Sequence, residues 1–269
     1  MNLSRRFMVK PGRRISLSEH DPDDTAGFKD KKAALKAARK NTARLAELQY
    51  LLYAEDKRSL LIVLQAIDGG GKDGTIRHVM SGLNPQGCSV TPFKAPSAEE
   101  ADHDYLWRIH KAVPPKGEIG IFNRSHYEEV LIVRVHSLVP KSVWSRRYDQ
   151  INLFEKLLAD NNVKILKFFL HISKDEQKRR FQQRLDDPTR HWKLDPGDFE
   201  ERKHWDEYVD AFEAALNRCS TAWAPWFIIP ANRKWFRNLA VSQIIVEALE
   251  NLKMEFPKPA IDVAKIHLD

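Results

Sequence analysis

The chain has 269 residues, 42% of them hydrophobic and 30% charged. That is room for one large α/β domain or two small ones, and it excludes wholesale disorder. Lys and Arg number 44 against 37 Asp and Glu, a net charge of +7, which favours anionic partners (nucleic acid, anionic lipid, phosphorylated small molecules) and equally serves solubility. Cys88 and Cys219 are too few for a disulfide framework or a four-cysteine zinc site, which points to a reduced, cytoplasmic compartment. No apolar run approaches the roughly 18 residues of a membrane span. The basic start, Arg5, Arg6, Lys10, Arg13 and Arg14, is not followed by the apolar stretch of a secretory signal.

There is no internal repeat and no low-complexity linker. Residues 1–28 are polar, end in Asp21-Pro22-Asp23-Asp24-Thr25, and read as an N-terminal arm packed on a single domain over 29–269. The acids at 21, 23 and 24 have the wrong spacing for a calcium loop and read as a turn and helix cap. Leu45, Leu48 and Leu52 fall at helical spacing within an Ala/Lys/Leu/Glu-rich stretch over 29–56, which predicts an amphipathic helix. Leu60 to Leu64 is a continuous apolar run, the mark of a strand buried on both faces. Glycines follow, then a helix from Lys72 to about Ser81, a turn at Asn84-Pro85-Gln86-Gly87, and a strand from Ser89 to Phe93. A helix over Glu99–Lys111 is stopped by Pro114-Pro115; Ile119–Phe122 is a strand and Ser125–Val135 a helix. Pro140 precedes a long helix to Asp160, and Val163–Ile172 is the longest strand candidate. Ser173 and Glu176 have the spacing of a capping box opening a basic helix. A polar segment over Asp186–Asp198, a helix over Phe199–Arg218, a short strand at Trp226–Ile229 and a helix over Asn232–Met254 complete the order. Trp235 and Phe236 read as exposed aromatics fit for an interface or a core. Alternating strands and helices imply a parallel sheet covered on both faces, with chemistry at the carboxyl ends of the strands.

After the first strand comes Ala66-Ile67-Asp68-Gly69-Gly70-Gly71-Lys72-Asp73-Gly74-Thr75. Gly71-Lys72 match the second half of the phosphate loop G-x-x-x-x-G-K-[ST], between strand and helix where that loop belongs. Ala66 stands in place of the first glycine and Asp73 in place of the hydroxyl residue. Three glycines let backbone N–H groups converge on an anion, the helix start adds positive potential, and Lys72 can reach a terminal phosphate. A tight turn with an incidental lysine is the bland alternative. Asp68 would repel bare phosphates, so it reads as a Mg²⁺ ligand or as the base that orients the acceptor; Asp73 reads as a first-turn acid with a structural role.

The third strand runs into Asn123-Arg124-Ser125-His126-Tyr127-Glu128. Phosphate-loop proteins often end this strand with a metal-binding acid; here it is the neutral Asn123, beside an Arg124 suited to charge on a migrating phosphoryl group. A helix cap with an incidental arginine is the alternative, and Glu128 could face the pocket or solvent. The basic run Lys178, Arg179, Arg180, Arg184, Arg190 and Lys193 is a solvated face, a nucleic-acid contact or a lid over phosphates. Its place between two helices after a strand favours a lid around 174–200, and the lack of interleaved aromatics speaks against nucleic acid.

Four motifs in order resemble the polyphosphate kinase 2 family: Asp68 to Thr75, His103-Asp104-Tyr105-Leu106-Trp107-Arg108, Asn123 to Glu128, and Arg184-Leu185-Asp186-Asp187-Pro188 with Trp192-Lys193. The resemblance runs from Asp21 to Trp226. It implies a phosphate-loop kinase fold of thymidylate-kinase type with a helical lid. It implies reversible, Mg²⁺-dependent (Mn²⁺ as an alternative) transfer of the terminal phosphoryl group of inorganic polyphosphate to a nucleotide. AMP, ADP and ATP would be partners, nucleic acid and membrane would not, and the chain would form a homodimer or homotetramer. Much of the family has Asp where this chain has Asn123, and commonly Asn where it has Glu128; the pair resembles the subgroup that phosphorylates both AMP and ADP. Asp68, Lys72 and Arg124 are then the expected catalytic residues and Asp68 the metal ligand. Gly69, Gly70, Gly71, Asp73, Gly74 and Thr75, with Lys94, Arg180, Arg184 and Lys193, are expected on phosphates, and Asn123 and Glu128 at the nucleotide. Tyr105, Trp107 and His103 alternate in facing, so the first two read as core. The rivals are an ATP-dependent nucleoside monophosphate kinase and a basic nucleic-acid-binding or nucleotide-sensing protein without turnover.

Overall fold

A computed structural model describes residues 2–266. Its centre is β1 (Ser59–Gln65), every residue of which is buried. A strand with both faces covered must be apolar throughout, which is why the run reads without alternation. β2 (Cys88–Pro92), β3 (Ile119–Asn123), β4 (Val163–His171) and β5 (Trp226–Pro230) join it in one parallel sheet of order β2-β3-β1-β4-β5. With a glycine loop following the central strand, this is the expected α/β phosphate-loop kinase fold. The order reverses between β3 and β4, on either side of β1, so the carboxyl end of β1 is where a ligand crevice opens.

Six helices cover the sheet: α1 (Lys31–Glu55), α2 (Lys72–Val79), α3 (Lys141–Asp160), α4 (Lys174–Leu185), α5 (Trp205–Cys219) and α6 (Lys234–Glu250). α6 packs along α1 and onto β4 and β5, while α3 packs on β4 and on α5. Leu45, Leu48 and Leu52 are buried, as their spacing requires. Phe236 is fully buried between Phe7 and Phe28, a core residue; Trp235 is half-buried. The leading segment is stitched to the sheet edge, with Val9 N donating to Trp226 O at 2.8 Å. Edge strands with free backbone groups invite foreign pairing, and this contact covers β5. The acids at 21–24 form a turn: Asp23 N bonds Asp21 Oδ1, and Asp24 pairs with Arg6. The helix cap is Asp30, which accepts from Lys32 N and Ala33 N.

Three predicted helices are broken. Glu99–Lys111 is two short helices, Ala98–Ala101 and Trp107–Lys111, because Asp104 Oδ1 takes Leu106 N and closes a side-chain turn between them. Ser125–Val135 is a 3-10 turn, His126–Val130, then one α turn, Ile132–Val135; its run of Val and Ile is poorly suited to a regular helix. Phe199–Arg218 begins as Pro196–Glu201, capped by Asp195, and starts again at Trp205. The capping box at Ser173 is half made: Ser173 Oγ accepts from Glu176 N, but the Glu176 carboxylate grips Arg179 and Arg180 instead of turning back.

The 3-10 turn that follows Asn123-Arg124 is anchored from below. Lys167, on β4 and without exposure, donates to Tyr127 Oη at 2.7 Å and to Cys219 O at 2.7 Å and pairs with the buried Glu155. Glu155 also meets Tyr127 Oη at 2.9 Å and His126 Nε2 at 3.2 Å. A buried charge left alone costs several kcal/mol. Lys167→Met therefore lowers stability by about 3–5 kcal/mol, read from denaturant midpoints, and adding Glu155→Leu recovers most of the loss; an unchanged midpoint in the single variant contradicts this account.

At the end of β4, burial pushes the His171 imidazole down to about 4 from 6.5, the nearby His20 acting in both directions. A histidine that stays neutral in the fold and charges once unfolded gives the unfolded state the extra proton in acid. Its contribution is complete above its ordinary value and is lost as pH falls from 6.5 towards about 4. The loss is on the order of 3 kcal/mol. His171→Gln flattens the stability–pH curve across that window in denaturant titrations at stepped pH.

Candidate active site

The glycine loop leaves β1 and enters α2 with Gly69 at φ +78° and Gly71 at φ +98°. The second position admits no side chain for a further reason: a Cβ on Gly71 would lie 2.1 Å from Arg237 Nη1. Gly70 has no room either, its Cβ falling 2.4 Å from Ala66 Cβ and 2.9 Å from Ile67 O. The carbonyls of this loop are taken from behind. Arg180 Nη1 donates to Gly69 O at 2.8 Å and Gly70 O at 3.0 Å, and Gln177 Nε2 donates to Asp68 O at 2.8 Å. Gly70 N donates to Ile67 O at 2.9 Å, so the amides left for an anion are those at the start of α2, which have no acceptor within the helix.

Above the loop lies a cavity of about 630 Å³ whose walls carry ten lysines and arginines against two aspartates, Asp68 and Asp73. Asp68 is the hub of the first group. Arg124 Nη2 donates to its Oδ1 at 2.9 Å and Lys72 Nζ lies 3.9 Å away. Burial opposes the ionisation of Asp68, but Lys72 and Arg124 outweigh it and hold the carboxyl below its usual value. Burial pulls the Lys72 ammonium down in spite of Asp68. Arg124 itself has φ +63°, a conformation that costs a non-glycine residue of order 1–3 kcal/mol. It is fixed by Arg124 N donating to Leu64 O at 3.1 Å, and the side chain is thereby aimed from the end of β3 at the loop after β1.

Asn123 and Asp73 form the second group. Asn123 Nδ2 donates to Asp73 Oδ1 at 2.8 Å, and Asn123 Oδ1 is buried with no hydrogen-bond partner. The contact to a carboxylate sets which end of the amide is the nitrogen, so the orphan is an acceptor. A buried, unpaired oxygen is costly; here it stands beside the hard carboxylates a magnesium ion uses together with phosphate oxygens. Asp68, Asp73 and Asn123 all line the cavity and carry the oxygen donors a divalent ion takes together with phosphate, although no group of three or more His, Cys, Asp or Glu that could hold a metal occurs among the described residues. Glu128 is not on the cavity wall. Burial pushes its carboxyl up, against the pull of Arg124 and Lys72.

The other expected residues divide. Gly69, Gly71, Gly74, Lys94, Arg184 and Lys193 reach the cavity. Gly70 sits behind it, and Thr75 is buried with its hydroxyl donating to Gly71 O at 3.1 Å, inside the helix start and away from the cavity. Arg180 touches the cavity, but its donors are spent on the loop, on Ala231 O and Asn232 O and on the Glu176 carboxylate. It carries the loop more than it meets a ligand. Arg184 is tied to Asp198 at 2.9 Å, which draws the segment after α4 towards the cavity. His103, Tyr105 and Trp107 lie off its walls; His103 stacks on Trp107 at 4.0 Å, and Tyr105 Oη donates to Gln150 Oε1 at 3.0 Å.

Sequence reading missed Arg237. It is 2% exposed, lies against Gly71 and donates only to Asn238 Oδ1, at 3.1 and 2.9 Å. No carboxylate lies within ion-pair distance of it among the described residues. Burial and then the neighbouring Arg180 pull its guanidinium down to about 9. A buried cation with no counter-charge, pressed on an anion-binding loop, is a cation whose partner is the ligand. Arg77, His78 and Lys234 also line the cavity unforeseen.

Comparison with known proteins agrees with this geometry. The profile of the family described as Polyphosphate kinase 2 matches residues 28–257. An AMP/ADP-polyphosphate phosphotransferase of Meiothermus ruber is 53% identical over 98% of this chain and 100% of its own. An ADP-polyphosphate phosphotransferase of Rhodopseudomonas palustris is 45% identical over 95% of this chain and 92% of its own. The crystal structure of a polyphosphate kinase 2 from Arthrobacter aurescens superposes with a TM-score of 0.95 at 45% identity, covering 98% of this chain and 94% of that one. With the family profile spanning most of the chain and relatives matching nearly end to end, the protein belongs to the polyphosphate kinase 2 family.

Proposed function

We propose that this protein transfers the terminal phosphoryl group of inorganic polyphosphate to AMP and ADP, forming ADP and ATP, and that the reaction is reversible. The observation that carries this reading is the cavity over the glycine loop, with ten basic side chains and two carboxylates. A mononucleotide brings few negative charges, whereas a chain of condensed phosphates brings one per unit and calls for a wall of this kind. The names of the similar phosphotransferases support the same donor and acceptors.

Phosphoryl transfer needs in-line placement and charge stabilisation, and no covalent enzyme intermediate. An acceptor phosphate oxygen bonds to the terminal phosphorus of the donor. The bridging P–O bond breaks, and its electron pair leaves with a chain shorter by one unit. The loop amides hold one phosphate group, and Lys72 and Arg124 meet the charge on the migrating group. Asp68 keeps both cations in place from below. Mg²⁺, or Mn²⁺ in its stead, would be held by Asp68 with the free oxygen of Asn123, and when bound supplies positive charge that offsets repulsion between donor and acceptor phosphates. Arg184, Lys193 and Lys94 close the cationic wall around the donor. Asn123 serves the acceptor nucleotide from the cavity wall, and Glu128, off that wall, acts on the acceptor site through the charges of Arg124 and Lys72. A cytoplasmic setting and assembly into a homodimer or homotetramer belong to the same reading; the two free thiols, Cys88 and Cys219, accord with a reduced compartment.

ATP formation from ADP, with long-chain polyphosphate as sole donor and Mg²⁺ present, tests the proposal; an enzyme that works only with ATP as donor to AMP would be a nucleoside monophosphate kinase instead. Lys72→Ala and Asp68→Ala each lower turnover at least about a hundredfold, the usual scale for losing one charge-stabilising contact, with unchanged circular dichroism. Wild-type turnover in either variant rejects the assigned roles. Arg237→Gln raises KM for polyphosphate more than it lowers kcat, since the cation binds donor charge ahead of the chemical step.

A further inference from the structure

A second cavity, of about 620 Å³, lies between α1, the end of α2 and the start of α6. It shares His78 and Lys234 with the cavity over the glycine loop, so the two meet at those side chains. Its ionisable lining is Lys31, Arg39, His78 and Lys234, with no Asp or Glu. All four are exposed, and none forms an ion pair within 4 Å among the described residues. Of the basic residues of α1, Arg44, further along the helix, is the one with an ion pair among the described residues, to Glu47 and Glu250; the groove end of the helix carries positive charge alone. The floor is apolar, built by Leu35, Ala38, Val79 and Trp235. Like charges in a cleft with low-dielectric walls repel one another and focus a positive field. Lys234 also feels the neighbouring cavity, since burial and then Arg180 and Arg237 draw its ammonium down.

We propose that this groove is a distal donor subsite: a long polyphosphate chain whose reacting end lies over the glycine loop passes His78 and Lys234 and runs along Lys31 and Arg39. The inference rests on the proposed function. It adds a path for the donor on the side away from the lid, where Arg190 and Lys193 offer the competing exit from the same cavity. The strip has no acidic neighbour on its lining, and a polyanion supplies the counter-charge it lacks. Short donors end before the groove and do not use it. A nucleoside stacked on Trp235 is the other conceivable occupant, and it would couple the groove to the acceptor instead of the donor.

The experiment compares Lys31→Gln/Arg39→Gln with the wild type in ATP formation from ADP, using a long-chain and a six-unit polyphosphate at several salt concentrations. Wild-type turnover with both donors tests the proposed function by itself, before any variant is read. For the variant, KM for the long chain rises about tenfold. The slope of log KM against log salt becomes shallower by about one, the scale for losing one or two counterion-displacing contacts on a polyanion. KM for the six-unit donor, KM for ADP and kcat stay within about twofold, and these values serve as the control for folding. An unchanged KM for the long chain overturns the subsite, as does an equal rise with both donors or a rise in KM for ADP alone. Arg190→Gln/Lys193→Gln raising KM selectively for the long chain, while the groove variant does not, assigns the exit to the lid and likewise overturns it.

Discussion

The guanidinium of Arg180 holds the glycine loop by its carbonyls, and the rest of the site depends on that grip. A peptide presents its C=O and N–H on opposite sides. Once Gly69 O and Gly70 O are bound from behind and Gly70 N donates to Ile67 O inside the turn, the turn is fixed, and the amides left for an anion are those at the start of α2, which have no acceptor within the helix. The same guanidinium reaches Ala231 O and Asn232 O past the end of β5 and is neutralised by Glu176, one turn back on its own helix. A loop after β1, a helix after β4 and the start of the connection after β5 are thereby locked by one side chain. Hydrogen bonds from a charged donor contribute about 1.5–3 kcal/mol each, enough together to keep three glycines, which lose the most freedom on ordering, in one conformation.

The binding site is a local conflict, and the scaffold around it absorbs the strain. Arg237 is buried with no carboxylate, Asn123 Oδ1 is buried with no donor, and Arg124 stands at φ +63°. Each lowers the stability of the free protein. Beneath them the buried charges are paired: Lys167 with Glu155, Tyr127 and a backbone carbonyl. This division of paired charge in the interior from unpaired charge at the cavity is what anion binding requires. A ligand that supplies the missing negative charge stabilises the folded protein by mass action as it binds.

What could be read from the residues was what is encoded locally. The apolar run of β1, the glycines with Lys72, and the Ser173 cap each depend on neighbours a few positions apart, and the strands fall where the runs place them. What could not be read depends on partners far away in the chain. Arg180 looked like one more cation on a basic face, but its acceptors lie about 110 residues earlier. Arg237 sits in a helix whose other residues are largely apolar and gave no local sign of pointing at Gly71. A weak signal existed, for a helix buried on most of its circumference has no solvated face on which to place an arginine. The helix break at Asp104 is a different case, for its cause is local: Asp104 Oδ1 takes Leu106 N two residues on and interrupts a pattern that otherwise predicts a continuous helix.

Asn123 shows how one atom changes what the site can hold. Its amide nitrogen caps Asp73 Oδ1 at 2.8 Å; an aspartate there would set two carboxylate oxygens against each other. At that separation, like charges cost about 5–6 kcal/mol at an effective dielectric of 20, unless a cation stands between them. An acid at this position would therefore make a metal ion, or a proton, a condition of a relaxed structure. Asparagine removes the condition: Asp73 is satisfied by the protein, the remaining amide oxygen is still free to ligate, and the net negative charge at the end of β3 drops by one. In the proposed mechanism this shifts the electrostatic load of metal binding onto Asp68 and the phosphates themselves. It also leaves the mouth of the cavity more tolerant of how many phosphates the acceptor brings. In the proposed function, an acceptor range spanning mono- and diphosphate rests on this charge count at one strand end.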